Sequence, residues 1–194
     1  MRGPLTMQIV GSLRLDAETP EAQRAWAAQL VAWAADRHPE DSPEVTPAAL
    51  LIEAGETVEL LGDHPAALDL YRRAAAAEGT VAPDARCYVH RALVATGELP
   101  SARRLAEEVR RSAPADTSSY AMIGETWEKA GDLVEAHRWM NLGLRALGRR
   151  AEGGDPTATG IDLILLLIVR RRLCRALELP PDAGDRLAGL AVPR

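Results

Sequence analysis

The sequence is poor in aromatic residues and in lysine. Its 194 residues include no Phe, aromatics make up only 4% of the chain, and Lys129 is the only lysine. A core without Phe must be filled mainly by Ala, Leu and Val, and such a core favours closely packed helices. Stretches such as AQRAWAAQLVAWAA consist of strong helix formers, and few segments are rich in β-branched residues. The composition therefore predicts an all-α fold.

Cysteine is also scarce. Cys87 and Cys174 are the only two, and they lie far apart in a chain large enough to form a core without disulfides. We therefore expect reduced thiols in a reducing compartment. The segment MRGPLTMQIVGSLRLD lacks the basic start, apolar run and small-residue cleavage site of an export signal. Together these features predict a cytoplasmic protein.

No hydrophobic run is long enough to span a bilayer. The most apolar stretch, residues 161–169, covers less than half of the roughly 20 residues required, and three arginines follow it directly. This stretch predicts a buried helix and no membrane partner. The net charge of −5 argues against a general nucleic-acid binder, which usually has a basic domain.

Catalytic motifs are missing as well. The sequence contains no glycine-rich phosphate loop, no GxSxG elbow and no HExxH zinc motif. Cys87 and His90 share a helix face and could begin a metal or thiolate site, but no CxxC or second His-rich cluster completes four ligands. We expect both to be packing residues, and we expect no catalytic residue, metal or cofactor.

The first 47 residues predict an arm, a helix and a linker. The weak alternation in MQIVGSLRL fits a short strand or an ordered arm. Thr19 can cap a helix, and Trp26, Leu30 and Trp33 then form an apolar stripe that continues the helix to about residue 37. Residues 38–47 include three prolines and predict a linker.

An internal repeat dominates the middle of the chain. Gly62, Gly97 and Gly131 stand 35 and 34 residues apart, each between two segments with helical apolar periodicity. Two further sets of residues recur with them. Five positions after each glycine comes an alanine, at Ala67, Ala102 and Ala136, and seven positions before stand Gly55, His90 and Gly124.

This pattern resembles the tetratricopeptide repeat (TPR), a unit of about 34 residues that forms two antiparallel helices. The match covers residues 48–150, as repeats 48–82, 83–116 and 117–150. Large and small residues fall at the family's packing positions, except that Arg86 and His90 depart from the pattern in the middle repeat. The resemblance implies a superhelix of about three hairpins with a concave groove. The layout is also similar to a group of actinobacterial tetratricopeptide proteins.

Residues 151–194 predict a linker and a helical cap. The string EGGDPTATG marks the linker, and IDLILLLIVRRRLCRALEL reads as one helix stopped by Pro180 and Pro181. DAGDRLAGLA is expected to form a short final helix. Such a pair would cover the apolar face that the third repeat leaves exposed.

The resemblance implies that the groove binds a protein or peptide. The candidate groove residues that it places on the first helices of the repeats are Ile52, Glu56, Glu59, Asp84, Arg91, Glu125, Glu128 and Lys129. Because acids outnumber bases in this set, a basic or amphipathic partner would suit the groove. Arg91 and Lys129 could instead pair with the acids. We therefore expect a non-catalytic scaffold or adaptor, and homo-oligomerisation remains open.

One alternative function depends on a cluster of arginines near the C-terminus. Arg170, Arg171, Arg172 and Arg175 could contact phosphate or nucleic acid, because the guanidinium group offers a planar fork of donors. The same residues are more typical of a solvated helix end, where cations complement the helix dipole. A metalloprotein or enzyme that uses Cys87 and His90 is the remaining alternative.

Overall fold

The computed structural model describes residues 2–155, 158, 160–180, 182–184 and 186, and every regular element within them is an α-helix. The prediction of an all-α protein is confirmed for this part of the chain. None of the described helices is long and apolar enough to cross a membrane. The helices are α1 (Met7–Leu15), α2 (Pro20–Ala35), α3 (Pro47–Leu60), α4 (His64–Ala76), α5 (Ala85–Ala95), α6 (Leu99–Ser112), α7 (Thr117–Lys129), α8 (Leu133–Glu152) and α9 (Gly160–Ala176).

The chain forms two compact units, Met1–Ala102 and Arg103–Arg194. In the first unit α2 packs on α3, α3 on α4 and α4 on α5, and in the second α7 packs on α8 and α8 on α9. The division falls within α6. The final helix predicted from DAGDRLAGLA lies largely outside the described residues.

Met7–Leu15 form a helix, so of the two alternatives for this segment, a short strand or an ordered arm, the strand is wrong. Thr6 caps α1 by accepting a hydrogen bond from the backbone N–H of Ile9 at 3.2 Å. Val10 is fully buried and belongs to a core that also contains Leu30 of α2 and Leu50 of α3. An alternation over nine residues cannot separate strand from helix, and the contact of Val10 with this core favours the helix.

Three equivalent turns join α3 to α4, α5 to α6 and α7 to α8. Gly62, Gly97 and Gly131 have φ angles of 81°, 80° and 84°, in the left-handed region that glycine adopts without strain. In each turn the residue after glycine donates its N–H to a carbonyl five positions earlier, as in Asp63 to Val58 at 3.2 Å. This is the Schellman ending of a helix. The prediction that each glycine joins two helices is confirmed.

Small residues allow close helix crossings at the predicted positions. A Cβ atom on Gly55 would lie 2.4 Å from the Tyr71 ring, and one on Gly124 would lie 3.3 Å from the Trp139 Cβ. The three repeated alanines, Ala67, Ala102 and Ala136, are all fully buried. Packing residues predicted from the repeat therefore do lie in the interior.

The N-terminal arm is held to the first linker by one carboxylate. The buried Asp41 side chain accepts two hydrogen bonds from the Arg2 guanidinium, one from the Leu5 N–H at 2.8 Å and one from the His38 N–H at 3.1 Å. The Arg2 hydrogen bond is the main reason that the pKa of Asp41 is well below its usual range. Arg2 also lies over the Trp33 ring of α2, 5.6 Å from its centre.

We expect this contact to make the first unit sensitive to acid. A carboxyl whose pKa is lowered by folding stabilises the fold above its unfolded pKa of about 4, and that contribution is lost as the pH falls below it. Asp41→Asn should cost about 1 kcal/mol at pH 7 and flatten the pH dependence between pH 5 and pH 3, measured by urea unfolding. Glu18→Gln, on an exposed carboxylate of the same unit, is the control. An unchanged pH profile in Asp41→Asn would contradict the assignment.

Candidate functional site

The acids of the first predicted groove segment belong to a cluster around Arg91. The Arg91 Nη2 atom lies 2.5 Å from Glu59 and 3.6 Å from Glu56, and it donates to the Tyr71 hydroxyl at 2.9 Å. The Tyr71 hydroxyl in turn donates to Glu59 at 2.7 Å. The Arg91 guanidinium lies 5.1 Å from the ring centre of Tyr88. We call these five residues the Arg91 cluster; they come from α3, α4 and α5.

Burial changes the electrostatics of this cluster. Desolvation raises the pKa of Glu56, although the charge of Arg91 opposes the shift. Desolvation also raises the pKa of Tyr88 to about 12, so the ring stays neutral at physiological pH. The positive charge of Arg91, in the same unit, compensates the negative charges of Glu56 and Glu59. Of the two readings open from the sequence, pairing of these acids with Arg91 is the one that the geometry shows.

Two other predicted groove residues serve the fold. Ile52 is only 5% exposed and lies in the core with Trp26 and Leu30, because its face of α3 packs against α2. Its assignment to an open groove was wrong. Asp84 caps α5 by accepting from the Arg86 N–H at 2.9 Å, and it also binds the Arg86 guanidinium, which lowers the pKa of Asp84.

The two predicted acids of the second unit, Glu125 and Glu128, have different surroundings from each other and from those of the first unit. Glu128 accepts two hydrogen bonds from Arg172 of α9, at 2.8 Å and 2.7 Å, in a bidentate ion pair. Lys129 is exposed at the C-terminal end of α7, where a cation complements the helix dipole. Glu125 is half-buried and is not joined to any described residue by an ion pair.

Glu125 lies in an apolar cleft between α7 and α9. This α7/α9 cleft has a volume of about 220 Å³. Aliphatic side chains form most of its walls, and the other lining residues are polar or charged. The lining residues are Thr117, Ser118, Ala121, Glu125, Asp162, Leu165, Leu166, Ile168 and Val169.

The two helices that form the cleft run parallel. Thr117 at the start of α7 donates to Asp162 at the start of α9 at 2.9 Å, whereas Glu128 near the end of α7 binds Arg172 in the last turns of α9. The cleft is therefore a trough that follows both helix axes. Asp162 lies toward one end, and the Glu128–Arg172 pair lies beyond the lining residues toward the other. Glu125 lies one helical turn before that pair.

The C-terminal arginines do not form one open anion site in the described structure. Arg170 is nearly buried, and it donates to Asn141 at 2.8 Å and to Asp182 at 2.5 Å. Arg172 is bound to Glu128, as described above. Arg171 and Arg175 are not joined to a described residue by an ion pair. Carboxylates thus already bind two of the four guanidinium groups that the anion-contact hypothesis requires.

Cys87 and His90 are both fully buried on α5. Desolvation lowers the pKa of His90 to about 4, so the imidazole is neutral at physiological pH. His90 occupies the position at which the other two repeats have a small residue, Gly55 or Gly124. The described residues include no group of three or more His, Cys, Asp or Glu side chains placed to bind a metal ion.

Sequence reasoning identified Glu125 on α7 but missed the α9 wall of the cleft. Residues 161–169 read as a buried helix because the seven successive apolar residues at 163–169 hide which face is covered. In the structure Ile161 is 71% exposed and Leu165 58% exposed, whereas Leu166 and Leu167 are buried. On a helical wheel centred on Arg170, the buried Leu166 and Leu167 lie on the side of Arg170. The exposed Ile161 and Leu165 lie on the opposite side.

Comparisons of the chain with protein-family models, with curated proteins and with solved structures gave no match.

Proposed function

We propose that this protein is a non-catalytic scaffold or adaptor that binds a protein or peptide. We also propose that the helices form a TPR-like superhelix of three hairpins, with α2 before it and α9 as a cap. Support comes from the three equivalent Schellman turns, the three buried alanines and the glycine contacts of Gly55 and Gly124. The proposal places the protein in the cytoplasm, where buried thiols such as Cys87 remain reduced.

The α7/α9 cleft is the observation that carries this proposal. Its walls are apolar and open, and Leu165 in the lining and the neighbouring Ile161 are among the most exposed large apolar side chains. Apolar surface that stays exposed in one region is typical of interaction sites. Sites for small-molecule ligands usually enclose about 300 to 1,000 Å³, so a smaller trough suits the side chains of a polypeptide better.

Because the cleft lies in the second unit, the proposal assigns partner binding to that unit. In the first unit Arg91 compensates Glu56 and Glu59, so those acids are poor candidates for a partner's cations. In the second unit Glu125 lies beside apolar walls and is not in an ion pair with a described residue, and its charge acts on Arg172 only at longer range. We therefore assign the partner surface to Ser118, Ala121, Glu125 and the exposed face of α9.

Site-specific photocrosslinking tests the proposed function. A benzophenone amino acid in place of Ser118, at the rim of the cleft, should crosslink a polypeptide in extract of the native cells. The same group in place of Glu152, exposed at the end of α8, is the matched control. We expect a discrete adduct from position 118 that Leu165→Asp reduces at least about tenfold, since a buried charge opposes apolar contact.

Two outcomes would count against a polypeptide-binding cleft. One is an adduct pattern that is the same at positions 118 and 152. The other is an adduct from position 118 that Leu165→Asp leaves unchanged while circular dichroism shows that the variant is folded. Either result would remove the cleft as the partner surface.

A further inference from the structure

We propose that Cys174 is a modification site at which a hydroperoxide oxidises the thiol to a sulfenic acid, with the imidazole of His137 as the base. Cys174 lies in the last turn of α9 and His137 lies on α8, so the fold brings them together across 37 residues of sequence. Both belong to the second unit. The inference goes beyond the partner-binding function proposed above and does not depend on it.

The thiol and the imidazole are within hydrogen-bonding reach of each other. The Sγ atom of Cys174 lies 3.4 Å from the Nε2 atom of His137. At this distance a proton can pass from sulfur to nitrogen without a bridging water. A nucleophile beside a base that is itself held by a third group is the arrangement that activates thiols.

Asn141 is that third group. It follows His137 by one helical turn on α8; its Nδ2 atom donates to the His137 carbonyl at 3.0 Å and lies 3.2 Å from Nε2 of the ring. Its Oδ1 atom accepts a hydrogen bond at 2.8 Å from Nε of Arg170, one turn before Cys174 on α9. The two contacts between α8 and α9, Asn141 with Arg170 and His137 with Cys174, therefore lie one helical turn apart. They hold the imidazole beside the sulfur.

The burial of the pair favours a small reactant. Cys174 is only 4% exposed, and His137 is half-buried. This packing keeps bulky electrophiles from the sulfur. Hydrogen peroxide is nearly as small as water, and it can reach a buried thiol through brief local opening at the end of a helix. A peroxide is therefore the class of reactant that suits this site.

The reaction is a two-electron oxidation of sulfur. Nε2 of His137 accepts the thiol proton, and a lone pair of the sulfur attacks one peroxide oxygen. The S–O bond forms as the O–O bond breaks, and the leaving oxygen takes the proton from His137. Hydrogen peroxide is thus reduced to water, the imidazole becomes neutral again, and Cys174 is left as a sulfenic acid, which thiols can reduce.

The position of Cys174 in α9 determines when the proton moves. The negative end of the helix dipole disfavours a permanent thiolate near the C-terminal end of a helix. The positive charge of Arg170 is already bound by Asp182, so it supplies little compensation. We therefore expect the thiol to lose its proton to His137 as it reacts, and the rate then depends on the imidazole.

Cys87 provides an internal reference for the test. It is fully buried on α5, where desolvation lowers the pKa of His90 to about 4 and makes that imidazole a weaker base. The full chain is treated with hydrogen peroxide, quenched with catalase and unfolded in dimedone, which traps sulfenic acids. Mass spectrometry then quantifies each cysteine. We expect Cys174 to be oxidised at least about tenfold faster than Cys87. Equal rates, or faster oxidation of Cys87, would overturn the inference.

A variant without the base tests the role of His137. His137→Gln should slow the oxidation of Cys174 at least about tenfold and leave the rate of Cys87 unchanged. His64→Gln, at an exposed histidine on α4, is the matched control and should change neither rate. An unchanged or faster rate of Cys174 in folded His137→Gln would show that access alone controls the thiol, and the inference would be wrong. If circular dichroism showed that His137→Gln does not fold, the comparison of the two cysteines in the wild type would decide.

Discussion

Gly55→Leu is expected to destabilise the first unit by about 3 kcal/mol. A Cβ atom at this position would lie 2.4 Å and 2.7 Å from two ring atoms of Tyr71, closer than non-bonded carbons approach. The Tyr71 ring cannot move aside freely, because it is fully buried and its hydroxyl is hydrogen-bonded to Glu59 and Arg91. The added side chain must therefore separate α3 from α4. Urea unfolding, followed by circular dichroism, measures the loss.

Gly11→Leu is the matched control for this change. Gly11 lies within α1 in the same unit, it is exposed, and a Cβ atom there would meet nothing within 4 Å. Leucine has a higher helix propensity than glycine, so this variant should be neutral or slightly more stable. Similar losses in the two variants would show that α3 and α4 do not cross closely at Gly55, and the repeat register would then be wrong.

Local rules were sufficient to predict the hairpins. The backbone of one turn requires a left-handed glycine at the end of the first helix, so Gly62, Gly97 and Gly131 reveal the turns directly from their spacing. Gly55 and Gly124 were identified for a related reason, since each small residue recurs at the same distance from its turn. The helix from Thr19 also follows local signals, and its cap accepts from the Ala22 N–H at 3.2 Å.

Long-range pairing explains what the sequence could not reveal. Arg91 binds Glu59 across 32 residues, and Arg172 binds Glu128 across 44. No spacing rule indicates which acid of a surface set meets which arginine, so Glu125 could not be singled out from its neighbours. Ile52 was misplaced for a similar reason. Its face of α3 is covered by α2, an element outside the repeats from which the groove positions were transferred.

Arg91→Met should destabilise the first unit by about 2 to 3 kcal/mol at pH 7. Methionine keeps most of the aliphatic volume against Tyr88, so the change removes mainly the charge and the hydrogen bonds to Glu59 and Tyr71. Loss of one partner of a desolvated ion pair leaves the other charge uncompensated, and a fully buried pair would cost about 3 to 5 kcal/mol. The expected value is lower because these side chains are 19 to 30% exposed.

The pH dependence identifies the cause of this loss. Without the opposing charge of Arg91, burial and the neighbouring carboxylates raise the folded pKa of Glu56 further above the unfolded value of about 4.3. A carboxyl with a raised folded pKa stabilises the fold below its unfolded pKa, and that contribution is lost as the pH rises through the folded pKa. The deficit of Arg91→Met relative to the wild type should therefore be largest near pH 7 and shrink toward pH 4. Urea midpoints across this range provide the measurement.

Two further variants separate charge compensation from simple loss of an arginine. Arg72→Met removes the same charge from the exposed surface of α4 in the same unit, and it should change stability by less than about 0.5 kcal/mol at any pH. Arg91→Met combined with Glu59→Gln removes one of the two stranded carboxylates and should recover about half of the loss at pH 7. A deficit in Arg91→Met that is the same at pH 4 and pH 7, with no recovery in the double variant, would mean that Arg91 acts through packing. Glu56 and Glu59 would then be free to serve a partner, and the first unit would regain the binding role that its ion pairs now argue against.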